Sequence, residues 1–188
     1  MLYRFAAAVQ DYSGLERSDF SMKVQHEHLI PAPVEAVLAA YRDPEFYVQK
    51  LKNSGALSVE ILEREEYPDG RVRLKARATE RSRVPAFLRK SDVDEYVDEN
   101  VLNPADRTLT WRITPKTGAD KVFLSGRVEF HPDGADRTRI VFHTELEVKI
   151  PLIGGKAEKI GLANTEEECA RQAEFVRAWV AKAGGRGL

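Results

Sequence analysis

One cysteine, Cys169, stands among 188 residues. An intrachain disulfide is therefore excluded, and such cysteine usage fits a reducing compartment, so the cytoplasm is the expected location. Charge of one sign is also lacking: 29 Lys and Arg stand against 30 Asp and Glu, a formal net charge of −1. A general nucleic-acid binder needs a basic face, and this balance argues against one. No apolar run approaches the roughly 18 residues of a membrane span, so no integral membrane insertion is expected. The chain has no serine nucleophile elbow, no Walker A loop, no HExxH and no paired CxxC. No cofactor and no metal is expected on these grounds, and no motif points to a protein partner. Internal repeats and low-complexity linkers are absent as well.

What remains is enough for one domain. A fold of this size exposes roughly 9,000 Å² of the roughly 31,000 Å² that its unfolded chain shows, which is ample for one core with room for a cavity. Residues 1–21 look separate. Arg4 is their only early positive charge, and the apolar stretch after it is too short for a secretory signal. The domain is expected at 22–183, after a leader at 1–21 and before a frayed tail at 184–188.

Met22 to Ile30 alternates, with Val24, His26, His28 and Ile30 on one face. Pro31-Ala32-Pro33 then precedes a helix with Val34, Val37, Leu38 and Tyr41 at helical spacing. Asp43-Pro44 breaks it, and Asp43 is placed to cap a second short helix carrying Phe46, Tyr47 and Leu51. Six strands follow. Their inward sets are expected to be Leu57, Val59, Ile61; Val72, Leu74, Ala76, Ala78; Val93, Val97, Val101; Leu109, Trp111, Ile113; Leu124, Val128, Phe130; and Ile140, Phe142, Leu146, Val148, Ile150. Turn signals such as Pro68-Asp69-Gly70 and Pro132-Asp133-Gly134 make these an antiparallel meander. The last stretch, to about Ala183, is helical, with Leu162, Thr165, Cys169, Ala173, Val176 and Val180 as its buried stripe. Glu166-Glu167-Glu168 is assigned mostly to solvent, and Gly155, at the start of this stretch, to a positive φ.

Charges fit that register. The third strand turns Arg71, Arg73, Lys75 and Arg77 outward, between Glu60 and Glu66 of the second and Asp92, Asp94 and Asp98 of the fourth. Opposite charges across strands are stabilising, so the basic run needs no anionic partner.

Strand, two short helices, six strands and a long final helix, with Ile30-Pro31-Ala32-Pro33-Val34-Glu35-Ala36-Val37 and Tyr41-Arg42-Asp43-Pro44-Glu45, resemble the START-like helix-grip fold of the SRPBCC superfamily. Asp43-Pro44-Glu45-Phe46, Val84-Pro85-Ala86-Phe87 and the run from Ile150 to Glu158 are similar to an uncharacterised bacterial family within it. The resemblance covers roughly residues 22–183. It implies an α+β fold in which a curved seven-stranded antiparallel sheet grips the C-terminal helix, with an apolar cavity between them.

The candidate ligand-binding residues are His26, His28, Glu95, Glu99, Trp111, Phe130 and Phe142. Trp111, Phe130 and Phe142 fall on the apolar face, and a helix stripe of small residues leaves space before them. That space is expected to be apolar, with Val84, Pro85, Phe87 and Leu88 as a gate at its mouth. Glu95 and Glu99 share the parity of Val93, Val97 and Val101. An inward carboxylate needs a partner, water or a proton, which makes such a pair a candidate for orienting a ligand. His26 and His28 have the spacing for two metal ligands, but two ligands are not a site, and His131 and His143 are expected outward. Cys169 reads as a small core residue. The favoured function is non-catalytic binding of a hydrophobic or amphipathic small molecule, lipid-like or aromatic. The alternatives are a cyclase- or hydrolase-like enzyme using cavity Glu or His, and a protein-interaction module with a vestigial cavity.

Overall fold

A computed structural model describes residues 22–82, 91–149, 155, 158–159, 162–163 and 165–184. The leader at 1–21, the gate residues Val84, Pro85, Phe87 and Leu88, the stretch 150–154 and the tail at 185–188 lie outside the described residues.

Strand β1 (Met22–Ile30) leads into helices α1 (Val34–Arg42) and α2 (Pro44–Asn53). Strands β2 (Ala56–Glu66), β3 (Val72–Arg81), β4 (Val93–Asn103), β5 (Thr108–Pro115), β6 (Val122–Pro132) and β7 (Thr138–Val148) follow, and α3 (Thr165–Gly184) closes the order. The sheet is antiparallel throughout, in the order β1-β7-β6-β5-β4-β3-β2. The meander therefore runs unbroken from β2 to β7, and only β1 returns from the start of the chain to the far edge. This is the α+β helix-grip arrangement.

Local chemistry explains the joints. Pro33 precedes α1, where a missing N–H costs nothing. Asp43 caps α2, its Oδ1 accepting from the Glu45 N–H at 2.8 Å, with Pro44 as the first helical residue. Gly70 and Gly134 take φ of +85° and +80° in the two Pro-Asp-Gly turns, a backbone that residues with a Cβ adopt only under strain. Gly155 is different from its expectation: it is helical without a positive φ, is exposed, and a Cβ there would meet nothing within 4 Å.

Helices α1, α2 and α3 lie on one face of the sheet. The α3 stripe of Thr165, Cys169, Ala173, Val176 and Val180 is buried, and Leu162 just before it is buried too. Phe46, Phe130, Ile30 and Val176 are at most 1% exposed at the heart of the core. Tyr41 packs between Phe46 and Phe130, with ring centroids 4.9 Å from each. Phe175 and Trp179 of α3 continue that aromatic cluster, each 5.4 Å from Phe46.

Two strands depart from strict alternation as read from the sequence. In β2, register shifts between Ala56 and Ser58 and between Ile61 and Glu63 break the period, and Leu57 and Ile61 stay exposed at the sheet edge. In β4 the parity is reversed. Tyr96, Asp98, Asn100 and Leu102 are buried, whereas Val93, Val97 and Val101 turn to the outer face. Glu95 and Glu99 turn outward with the valines, and Asp98, assigned outward, faces in. The reason is the turn at 104–107: it pairs Leu102 with Leu109, and Leu109 belongs to the core. A shift of one residue would exchange the two faces of the whole strand. Glu168 is likewise buried, at 2% exposure, and not on the solvent side of α3.

The outer face keeps its charge ladder, with Glu60 as expected and Glu63, Glu95 and Glu99 in place of the other acids. Arg73 pairs with Glu63 at 2.8 Å and with Glu99 at 2.7 Å. Lys75 pairs with Glu63, and Arg77 lies between Glu60 at 2.9 Å and Glu95 at 3.5 Å.

Candidate functional site

Between sheet and helices lies a cavity, partly open to solvent. The space available to the centre of a water molecule is about 70 Å³. One water needs roughly 10–15 Å³ of such space, so the cavity holds several. Its lining is mixed, not apolar throughout. Tyr41, Leu109, Trp111, Val128, Phe142 and Cys169 supply apolar and aromatic surface. Lys50, Ser54, Glu80, Asp98, Glu168 and Gln172 supply polar groups.

The apolar part follows from period-two alternation. Leu109, Trp111 and Ile113 of β5 project to the same side as Val128 of β6 and Phe142 of β7. Trp111 fits because its partner across the ladder is Gly126. A Cβ on Gly126 would stand 2.5 Å from the indole and 2.0 Å from the His143 carbonyl oxygen. Cys169 enters from α3, buried and free; burial pushes its thiol up to about 12. It is a packing group, unionised at neutral pH.

The polar lining is built where side chains of α2 reach those of β4. The Tyr47 hydroxyl lies 2.6 Å from Asp98 Oδ1 and 3.0 Å from the Asp98 carbonyl oxygen. Asn100 Nδ2 also donates to Asp98 Oδ1. Lys50 Nζ donates to Asn100 Oδ1 at 3.4 Å. Burial pushes the Asp98 carboxyl above its ordinary range, opposed by Lys50 and by the hydrogen bonds from Tyr47 and Asn100. Burial acts oppositely on the Lys50 amine and pulls it down, with Asp98 resisting. On the α3 side, Ser54 Oγ donates to Glu168 Oε1 at 2.8 Å, and Arg171 reaches Glu168 Oε2 at 3.2 Å. The result is a hydrogen-bonded chain, Tyr47–Asp98–Asn100–Lys50, ending at the cavity wall.

Of the residues expected from the sequence, Trp111 and Phe142 line this cavity. Phe130 lies behind it, packed on Tyr41. His26 and His28 are half-buried on β1 and do not line it. Thr165 Oγ1 donates to the Leu162 carbonyl, so it receives His26 Nε2 at 2.9 Å as an acceptor. His28 stands edge-on to Phe142, centroids 6.1 Å apart; burial lowers its pKa, helped by Arg177 and His26. Glu95 and Glu99 are on the opposite face of the sheet, held by Arg77, Lys116 and Arg73. Among the described residues, no three His, Cys, Asp or Glu side chains converge as metal ligands. His131 and His143 face outward, both against Glu129.

Sequence reading missed Lys50, Asp98, Glu80 and Glu168. The parity of β4 was recoverable from the short turn to β5, which forces Leu102 opposite Leu109. Glu168 carried no comparable signal, because it sits inside a run of three glutamates.

None of the curated proteins matches the chain. Solved structures do. The Zhui aromatase/cyclase from Streptomyces sp. R1128 superposes with a TM-score of 0.64 at 18% identity, over 87% of this chain and 95% of that one. A truncated norcoclaurine synthase from Thalictrum flavum gives 0.61 at 18% identity, over 90% and 98%. A START superfamily protein from Mycobacterium smegmatis gives 0.55 at 20% identity, over 86% and 98%. At these identities the likeness is one of fold. A family profile matches residues 25–180, and the chain therefore belongs to the family described as "Protein of unknown function (DUF2505)", built on the START-like helix-grip fold.

Proposed function

We propose that the protein binds a hydrophobic or amphipathic small molecule between the sheet and α3, without converting it. The observation that carries this reading is the cavity itself, whose lining combines Trp111 and Phe142 with charged, hydrogen-bonded groups. A binding pocket of mostly apolar lining with a few placed polar groups is what holds and orients a small ligand. A space of about 70 Å³ favours a compact aromatic group over a long acyl chain. Residues 22–183 are the proposed binding domain. Among the described residues no helix is long and apolar enough to cross a membrane, and a lone buried thiol fits the cytoplasm.

The test is binding of an environment-sensitive apolar dye, read by Trp111 fluorescence in a Trp179→Phe background. Dye emission is expected to rise, and Trp111 emission to shift, with the folded protein. Phe142→Asp is expected to weaken binding beyond its loss of stability. Native mass spectrometry with solvent extraction then identifies what copurifies. A folded protein that leaves the dye unbound would overturn the binding reading and promote the interaction module.

A second reading rests on the Tyr47–Asp98–Asn100–Lys50 chain, since a buried amine beside a carboxyl is equipment for proton transfer. It makes the protein a cyclase-like enzyme, in line with the name of one structural neighbour, the Zhui aromatase/cyclase. Turnover of a cyclisable substrate that is lost in Lys50→Met would favour it.

A further inference from the structure

Among the described residues, nothing accepts a hydrogen bond from the Tyr41 hydroxyl in the cavity wall. Tyr41 of α1 is 4% exposed and lines the cavity. Its ring is fixed by Phe46 and Phe130, but its hydroxyl makes no hydrogen bond. A buried hydroxyl left unmatched bears its full desolvation cost, so native structures rarely leave one without an acceptor. The neighbourhood offers a second donor with capacity to spare. Lys50 Nζ lies 5.8 Å from the centre of the Tyr41 ring and 5.5 Å from that of Tyr47. An ammonium has three donors, and among the described residues Lys50 makes one hydrogen bond, the long one to Asn100 Oδ1. The nearest carboxyl, Asp98, is engaged by Tyr47 and Asn100. Tyr41 and Lys50 are therefore donors with capacity to spare, whereas Glu168 accepts from the Ser54 hydroxyl and is ion-paired with Arg171.

We infer that the ligand carries an acceptor oxygen, a carbonyl or a phenolate, and presents it to Tyr41 Oη on the side where Lys50 supplies positive charge. Its apolar remainder lies against Trp111 and Phe142. This rests on the binding reading and adds to it the chemical class of the ligand: a compact, oxygen-bearing aromatic, not a pure hydrocarbon. A hydrocarbon of the same shape would leave both donors unfilled.

The experiment uses two probes of nearly equal shape, acetophenone and α-methylstyrene, which differ by a carbonyl oxygen in place of a methylene. Both are titrated into the full chain in the Trp179→Phe background, with Trp111 emission as the readout. Acetophenone is the less hydrophobic, so simple partitioning favours α-methylstyrene. The expected result is acetophenone binding at least tenfold more tightly. Tyr41→Phe, which keeps the ring and removes the hydroxyl, is expected to reduce that preference to under threefold while leaving α-methylstyrene within twofold of its parent value. Equal binding of the two probes by the parent, or a preference that survives Tyr41→Phe, would overturn the acceptor assignment and leave the binding reading intact. Binding of neither probe by the folded parent would overturn both. The parent's own preference does not depend on how well the variant folds.

Discussion

The two faces of β3 and β4 use the same kinds of side chain to opposite ends. Outside, Arg73, Lys75 and Arg77 meet Glu60, Glu63, Glu95 and Glu99 in ion pairs that remain in contact with water. Inside, Glu80 and Asp98 are each 4% exposed, and Asp98 shares a closed set of hydrogen bonds with Tyr47, Asn100 and, through Asn100, Lys50. In water the outer pairs gain little, because solvent screens them and the long side chains lose freedom on pairing. In the interior each charge has left its hydration behind, so every partner matters. The outer ladder is interchangeable dressing on a strand. The inner cluster is specific geometry beside a cavity.

The largest expected effect tests the inner cluster. Asp98→Ala removes the acceptor of Tyr47 and Asn100 and the charge facing Lys50. It is expected to cost about 3–5 kcal/mol in urea unfolding. A loss as small as that of an outer pair would erase the contrast between the two faces. Next comes the floor under Trp111. Gly126→Ala places a Cβ 2.0 Å from a backbone oxygen and 2.5 Å from the indole, and is expected to cost about 3 kcal/mol. Its Trp111 emission should shift even where the fold survives, which ties the loss to that contact.

Cys169 belongs to the inner face without belonging to its polar set. Its thiol, raised to about 12 by burial, is expected to resist a thiol reagent at pH 8 and to react only at the rate of unfolding. Cys169→Ala should cost about 1 kcal/mol, as a small change in a packed site. Rapid labelling of the native protein would contradict its burial. On the outer face, Arg77→Ala is expected to change stability by less than about 1 kcal/mol, with the difference shrinking as salt is added. The smallest stability effect is expected for Tyr41→Phe. Removing an unmatched buried hydroxyl should leave the melting temperature unchanged or slightly raised. A clear loss would mean that the hydroxyl already has a partner.

Much of the fold was legible because the physics is local. Pro33, Asp43-Pro44 and the two Pro-Asp-Gly turns state where elements begin and end, and β3, β5, β6 and β7 alternate cleanly enough to give their inner faces. The stripe of α3 was legible for the same reason. β4 was not, because both of its faces are mixed: three valines lie on the face that turned outward, and only Tyr96 and Leu102 are apolar on the inner one. Counting apolar residues chose the wrong parity, and with it Glu95 and Glu99 as site residues. Trp111 and Phe142 reached the cavity as expected because their strands admit one reading.

By itself, then, the sequence determined the order of elements, the antiparallel meander, the burial of Cys169 and the aromatic wall, since turn chemistry and hydrophobic period act within a few residues of one another. Tertiary structure alone decided which carboxylates are solvated and which are buried. That choice depends on pairing Leu102 with Leu109, on α2 delivering Tyr47 and Lys50 to Asp98, and on α3 bringing Glu168 to Ser54 across 114 positions of sequence. A carboxylate carries no mark of its own burial. Its solvation is set by neighbours that only the folded chain assembles.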